Sequence, residues 1–65
     1  MARYKVNFIY MISNPEISDG NWHSDFLDNN GAGFTLEEAH EVAAMIRQNE
    51  YARTKKVDVQ EMKEA

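Results

Sequence analysis

The stretch from Asp28 to Glu37, Asp-Asn-Asn-Gly-Ala-Gly-Phe-Thr-Leu-Glu, gathers carboxylates, amides and glycines at a spacing that invites comparison with a calcium loop. With Gly31 set at the sixth position of such a loop, Asp28, Asn30 and Glu37 fall on the third, fifth and twelfth. The first position is then Phe26, which offers no oxygen, so the ligand shell lacks its leading carboxylate. Gly31-x-Gly33 also has the setting of a phosphate cradle between a strand and a helix. Leu36 occupies the place of a third glycine, no Walker lysine follows, and Asp28, Glu37 and Glu38 would repel an anion. The glycines are expected instead to supply positive φ where a strand ends.

The two histidines, His23 and His40, give no metal pattern: Ala44 stands where a second histidine would follow His40-Glu41. His23 lies beside Asp25 and could pair with it. There is no cysteine, which removes disulfides and thiolate chemistry, and no serine has an evident orienting base. No catalytic residue, metal or cofactor is expected. Arg47, Arg53, Lys55 and Lys56, with Tyr51 among them, form the one basic cluster, and basic residues with an interleaved aromatic suit a nucleic-acid backbone.

Four elements must position these groups. Arg3 to Ile12 alternates, with Tyr4, Val6, Phe8, Tyr10 and Ile12 on one side, and becomes apolar on both sides from Phe8 onward, as a central strand does. Ser13 to Gly20 holds the turn pairs Asn-Pro and Asp-Gly. A second strand is expected over Asn21 to Asp28, with Trp22 and Phe26 on one face and His23, Asp25 and Leu27 on the other. Thr35 is the N-cap and Glu38 the capping-box partner of a helix that stops near Gln48, with Asn49 a candidate C-cap. Leu36, Ala39, Val42, Ala43 and Ile46 share its apolar face. Lys55 to Met62 alternates around Val57 and Val59 as a third strand.

These elements predict an α+β fold, β-β-α-β, as one domain over residues 1–65: a three-stranded antiparallel sheet of order 2-1-3 with the helix on one face. The predicted floor under the helix is Val6, Phe8, Tyr10, Trp22, Phe26, Val57 and Val59. The opposite face would then carry Ile9, Met11 and Leu27 as an apolar patch rimmed by Lys5, Asn7, His23, Asp25, Lys56, Asp58 and Gln60, with Met62 at its edge.

A chain of 65 residues buries only about 60% of its unfolded surface, so self-association is a natural supplement. At 43% hydrophobic it is too apolar for disorder, and no run nears the roughly 18 apolar residues of a membrane span, which suggests a cytoplasmic protein. The net charge is −4, and no lysine or arginine occurs from Val6 to Ile46. The leading expectation is a small non-enzymatic protein-binding module, acting on another protein or on itself as a homodimer. Ile9, Met11, His23, Asp25 and Leu27 would form its contact face, and Asp19, Asp28, Glu37 and Glu41 would steer a basic partner. An inhibitor or modulator of a host nucleic-acid-processing protein would suit that charge. The alternatives are a nucleic-acid binder using Arg47, Arg53, Lys55 and Lys56, and a structural subunit of a homo-oligomer.

Overall fold

Tyr4–Ile12 forms β1, His23–Leu27 β2, Leu36–Arg47 α1 and Ala52–Glu61 β3 in a computed structural model that describes residues 2–63. Both outer strands run antiparallel to β1, in the order β2-β1-β3. The β-β-α-β architecture is therefore as the sequence predicts, with the most apolar strand in the middle.

The helix starts as its residues dictate. The Thr35 hydroxyl accepts the Glu38 amide at 3.1 Å, and the Glu38 carboxylate accepts the Thr35 amide at 3.0 Å. Hydrogen bonding to the Glu38 carboxyl, from the Thr35 amide first and the Thr35 side chain second, holds it below the usual carboxylate range. A carboxyl depressed on folding stabilises the fold above its unfolded pKa, and that contribution is lost as pH falls through the lower folded value. Glu38→Gln keeps an acceptor without the charge. Its melting temperature should fall below that of the parent at neutral pH and converge with it near pH 2; a constant gap across that range would refute the assignment. The helix ends at Gln48, whose amide bonds back to Ala44, so the C-cap is Gln48 and not Asn49.

Val6, Ala39 and Ala43 are the buried centre, ringed by Tyr4, Phe34, Val42, Ile46, Val57 and Val59. The two alanines let the helix backbone settle close above Val6. The helix lies over β1 and β3 only; its backbone approaches no part of β2. All five residues of β2 are exposed as a result.

That placement overturns the predicted facing of β2. Leu27 pairs with Val6, Asp25 with Phe8 and His23 with Tyr10, so these three side chains share the helix side of the sheet. Phe26 pairs with Asn7 and Ser24 with Ile9, which puts Phe26 on the open side. Trp22 and Phe26 are therefore not part of the floor under the helix. A one-residue change of register exchanges the two faces of a strand, and only burial of one face forbids it. No helix covers β2, so burial does not select between the faces.

The segment after β2 is fastened instead. Asn29 and Asn30 both take positive φ of 56°, followed by Gly31 at 90° and Gly33 at 76°. This coil closes with the Gly33 amide on the Asp28 carbonyl at 2.7 Å. Phe34 and Tyr4 then exchange two backbone hydrogen bonds of 2.8 and 2.9 Å. The clasp delivers the chain to the helix N-terminus.

Candidate binding surfaces

The open side of the sheet is built by three strands, each contributing alternate residues. β1 supplies Lys5, Asn7, Ile9 and Met11, β2 supplies Ser24 and Phe26, and β3 supplies Arg53, Lys56, Asp58 and Gln60. Trp22 precedes β2 by one residue, just beyond the last ladder pair of His23 with Tyr10, and strand alternation carries it to the open side.

One irregularity sets the chemistry of this face. Lys56 pairs with Ile9, but the next β1 residue, Tyr10, pairs with Thr54, so Lys55 is an extra residue in β3. Such a bulge places two consecutive side chains on nearly the same side of a sheet. The Lys55 ammonium accordingly lies 5.5 Å from the centre of the Trp22 ring, on the far side of β1. Ile9 and Met11, on the same side, are partly buried. The Lys5 ammonium stands 5.2 Å from the centre of the Phe26 ring. The Asn7 amide donates to Gln60 Oε1 at 2.6 Å, and Lys56 pairs with Asp58 at 3.4 Å. The open side is thus a basic and aromatic platform.

The helix side carries the second surface. Beyond the C-terminal end of α1, Phe8, Tyr10, Ile12, Leu27, Ile46 and Tyr51 surround an apolar hollow of about 290 Å³. Tyr51 stands 84% exposed at its rim. The Phe8 and Tyr10 rings lie 5.5 Å apart, and the Tyr10 and His23 rings 5.7 Å apart, which extends the aromatic floor onto β2. His23 Nε2 meets Asp19 Oδ2 at 2.9 Å, so its carboxylate partner is Asp19, reaching in from the loop, and not Asp25. The Asn21 amide foremost, and then His23, hold the Asp19 carboxyl below the usual carboxylate range.

The residues predicted to form one contact face are therefore divided. Ile9 and Met11 lie on the platform, while His23, Asp25 and Leu27 lie on the helix-side shelf. Of the basic cluster, Arg53, Lys55 and Lys56 share the platform, whereas Arg47 stands apart at the helix end, with Nη2 3.5 Å from the Val57 carbonyl. Of the acidic group, Glu37 and Glu41 are exposed on the helix, on the other side of the sheet from the platform. Asp28 accepts the Gly31 amide at 3.1 Å within its own coil, and Asp19 is engaged as described. Among the described residues no three His, Asp or Glu side chains gather as a metal ion would require.

Lys5, Asn7, Lys56, Asp58 and Gln60 lie on the open side as the sequence predicts, whereas sequence reasoning missed Trp22 and Phe26 there. The signal available for the bulge was the spacing of Thr54 and Val57, both on the helix side yet three residues apart, an odd interval no regular strand permits.

Fold and surfaces together define a small α+β domain with two unlike exposed faces on one sheet. No protein-family model, curated protein or solved structure matches the chain.

Proposed function

We propose that the chain is a small non-enzymatic protein-binding module that docks through the helix-side shelf, and that the protein seated there is a second copy of itself. The observation that carries this reading is surface area. The chain exposes 5118 Å², whereas a compact monomer of its 7.5 kDa exposes about 4,200 Å². The surplus, roughly 900 Å², is close to what one partner contributes to an interface of ordinary size. The radius of gyration, 12.9 Å, likewise exceeds the roughly 10.7 Å of a compact chain this long.

Among the described residues Val6, Ala39 and Ala43 are the only hydrophobic side chains fully buried, so the chain has much apolar surface still to cover. Leu27, 45% exposed, and Tyr51 flank the hollow and present the apolar bulk that a twofold-related copy would bury. An isologous contact of this kind closes on itself and leaves the platform free. Apolar side chains and one His–Asp pair suit docking better than bond-making.

Sedimentation equilibrium should give about 15 kDa for the parent, twice the 7.5 kDa chain, and half that mass for Leu27→Asp with an unchanged circular dichroism spectrum. Tyr51→Ser provides a second variant at a position too exposed to matter for folding of the monomer. A parent that sediments as a monomer at about 0.5 mM would reject the reading. So would a dimer that both substitutions leave intact.

A further inference from the structure

We infer that the platform on the open side of the sheet is a binding site for single-stranded nucleic acid. This site lies on the opposite face from the shelf, so either proposal can fail without the other.

The inference rests on charge and ring placement together. Lys5, Arg53, Lys55 and Lys56 stand on one face, and the strand registers bring a single carboxylate, Asp58, to join them there. Asp28 and Glu61 border the Lys5 end together with Lys63, and Asp28 Oδ1 is occupied there by the Gly31 amide. The net charge of −4 therefore does not describe this face: Glu37, Glu38 and Glu41 are on the helix, and Asp25 pairs with Phe8 on the helix side. Four cations on a flat face attract a phosphate backbone, and the attraction acts over about a Debye length.

Cations alone would suit any polyanion; the rings narrow the choice. Trp22 and Phe26 are 43% and 49% exposed on this face. They lie four residues apart on one extended segment, about 13 Å, which leaves room for nucleotides between two stacking positions. Each ring already has a lysine ammonium above or beside it, so a base stacked there would have a cation at hand for its phosphate. Asn7 and Gln60, hydrogen-bonded to one another at the Phe26 end, carry free donor and acceptor capacity for base edges. Paired bases are stacked on one another and do not offer their faces to Trp22 and Phe26. An unpaired strand does offer them.

Trp22 is the only tryptophan, so its emission reports the site directly. Titration with a fluorescein-labelled fifteen-nucleotide oligothymidylate in about 50 mM salt should quench that emission and saturate in the micromolar range. The logarithm of the affinity should fall with that of salt with a slope near −2 to −3, as three or four neutralised phosphates require. Trp22→Ala with Phe26→Ala, read by anisotropy of the labelled strand, should weaken binding roughly tenfold or more, and Lys55→Glu with Lys56→Glu should abolish it. Both pairs are exposed and should leave the circular dichroism spectrum unchanged. Absence of binding at about 100 μM protein would overturn the inference. Equal affinity for a duplex of the same length, binding to anionic phospholipid vesicles in place of the strand, or indifference to loss of both rings would also overturn it.

Discussion

Val6→Asp leaves the chain without a cooperative thermal transition. Val6 is fully buried, the central strand's contribution to a core whose other two buried members are alanines. Ala39 and Ala43 press the helix backbone down on it, so there is no room for water to follow a carboxylate inward. The groups around it, Tyr4, Phe34, Val42, Ile46, Val57 and Val59, include no cation to pair with it. The substitution removes the largest fully buried side chain and adds an unpaired charge, together well over about 4 kcal/mol. A domain of 65 residues has a total stability of roughly 3–10 kcal/mol. The cost is of the same size as what it is subtracted from. Far-ultraviolet circular dichroism between 5 and 90 °C provides the check, and a sigmoidal melt with a midpoint within a few degrees of the parent would contradict this account of the core.

How far the fold could be read from the chain depends on whether the deciding interaction is local. Thr35 and Glu38 are three residues apart and form the capping box with each other, so the helix start needs no knowledge of the tertiary structure. β1 announces itself as central because both its faces are apolar from Phe8 onward, and a strand paired on both sides is where such a sequence belongs. The facing of β2 was not legible. Trp22 and Phe26 outweigh Leu27 as apolar bulk, which argues for turning them toward a helix. That argument assumes a helix overhead, and α1 stops short of β2. The bulge at Lys55 was equally hidden, because its only local trace is an alternation that slips phase between Thr54 and Val57. Both failures fell on the candidate surfaces, which is why Trp22 and Phe26 were expected under the helix and Lys55 was left off the open face.

Gly33→Ala destabilises the fold by roughly 2–4 kcal/mol, more than the same change at Gly31. Both glycines take positive φ, 76° at Gly33 and 90° at Gly31, so alanine is strained at either. At Gly31 an added Cβ meets nothing within 4 Å, and the backbone strain, about 1–2 kcal/mol, is the whole effect. At Gly33 the same atom would lie 2.6 Å from Arg3 Cβ and 3.0 Å from Met62 Sδ. The methionine tip can swing aside, but Arg3 Cβ is fixed to the main chain of the strand start. Relief would have to come from the clasp itself, where Phe34 and Tyr4 exchange their backbone hydrogen bonds. Urea denaturation of the two variants side by side isolates the clash from the shared φ penalty. Equal losses at both positions would show that the close approach of Gly33 to Arg3 is not a feature of the folded chain.

The uncovered second strand has a thermodynamic consequence for the whole domain. Leu27 faces one side of the molecule and its neighbour Phe26 the other, and the strand that carries both is held by its ladder to β1 without help from the helix. Such a segment frays more readily than the rest, and amide protons along it should exchange with solvent earliest among the strands. Anything that grips it from one flank suppresses the fraying and so spares a ligand on the opposite flank part of the ordering entropy. Occupancy of one flank must then raise affinity at the other by the same factor in both directions, a positive linkage that needs no movement of the backbone at all.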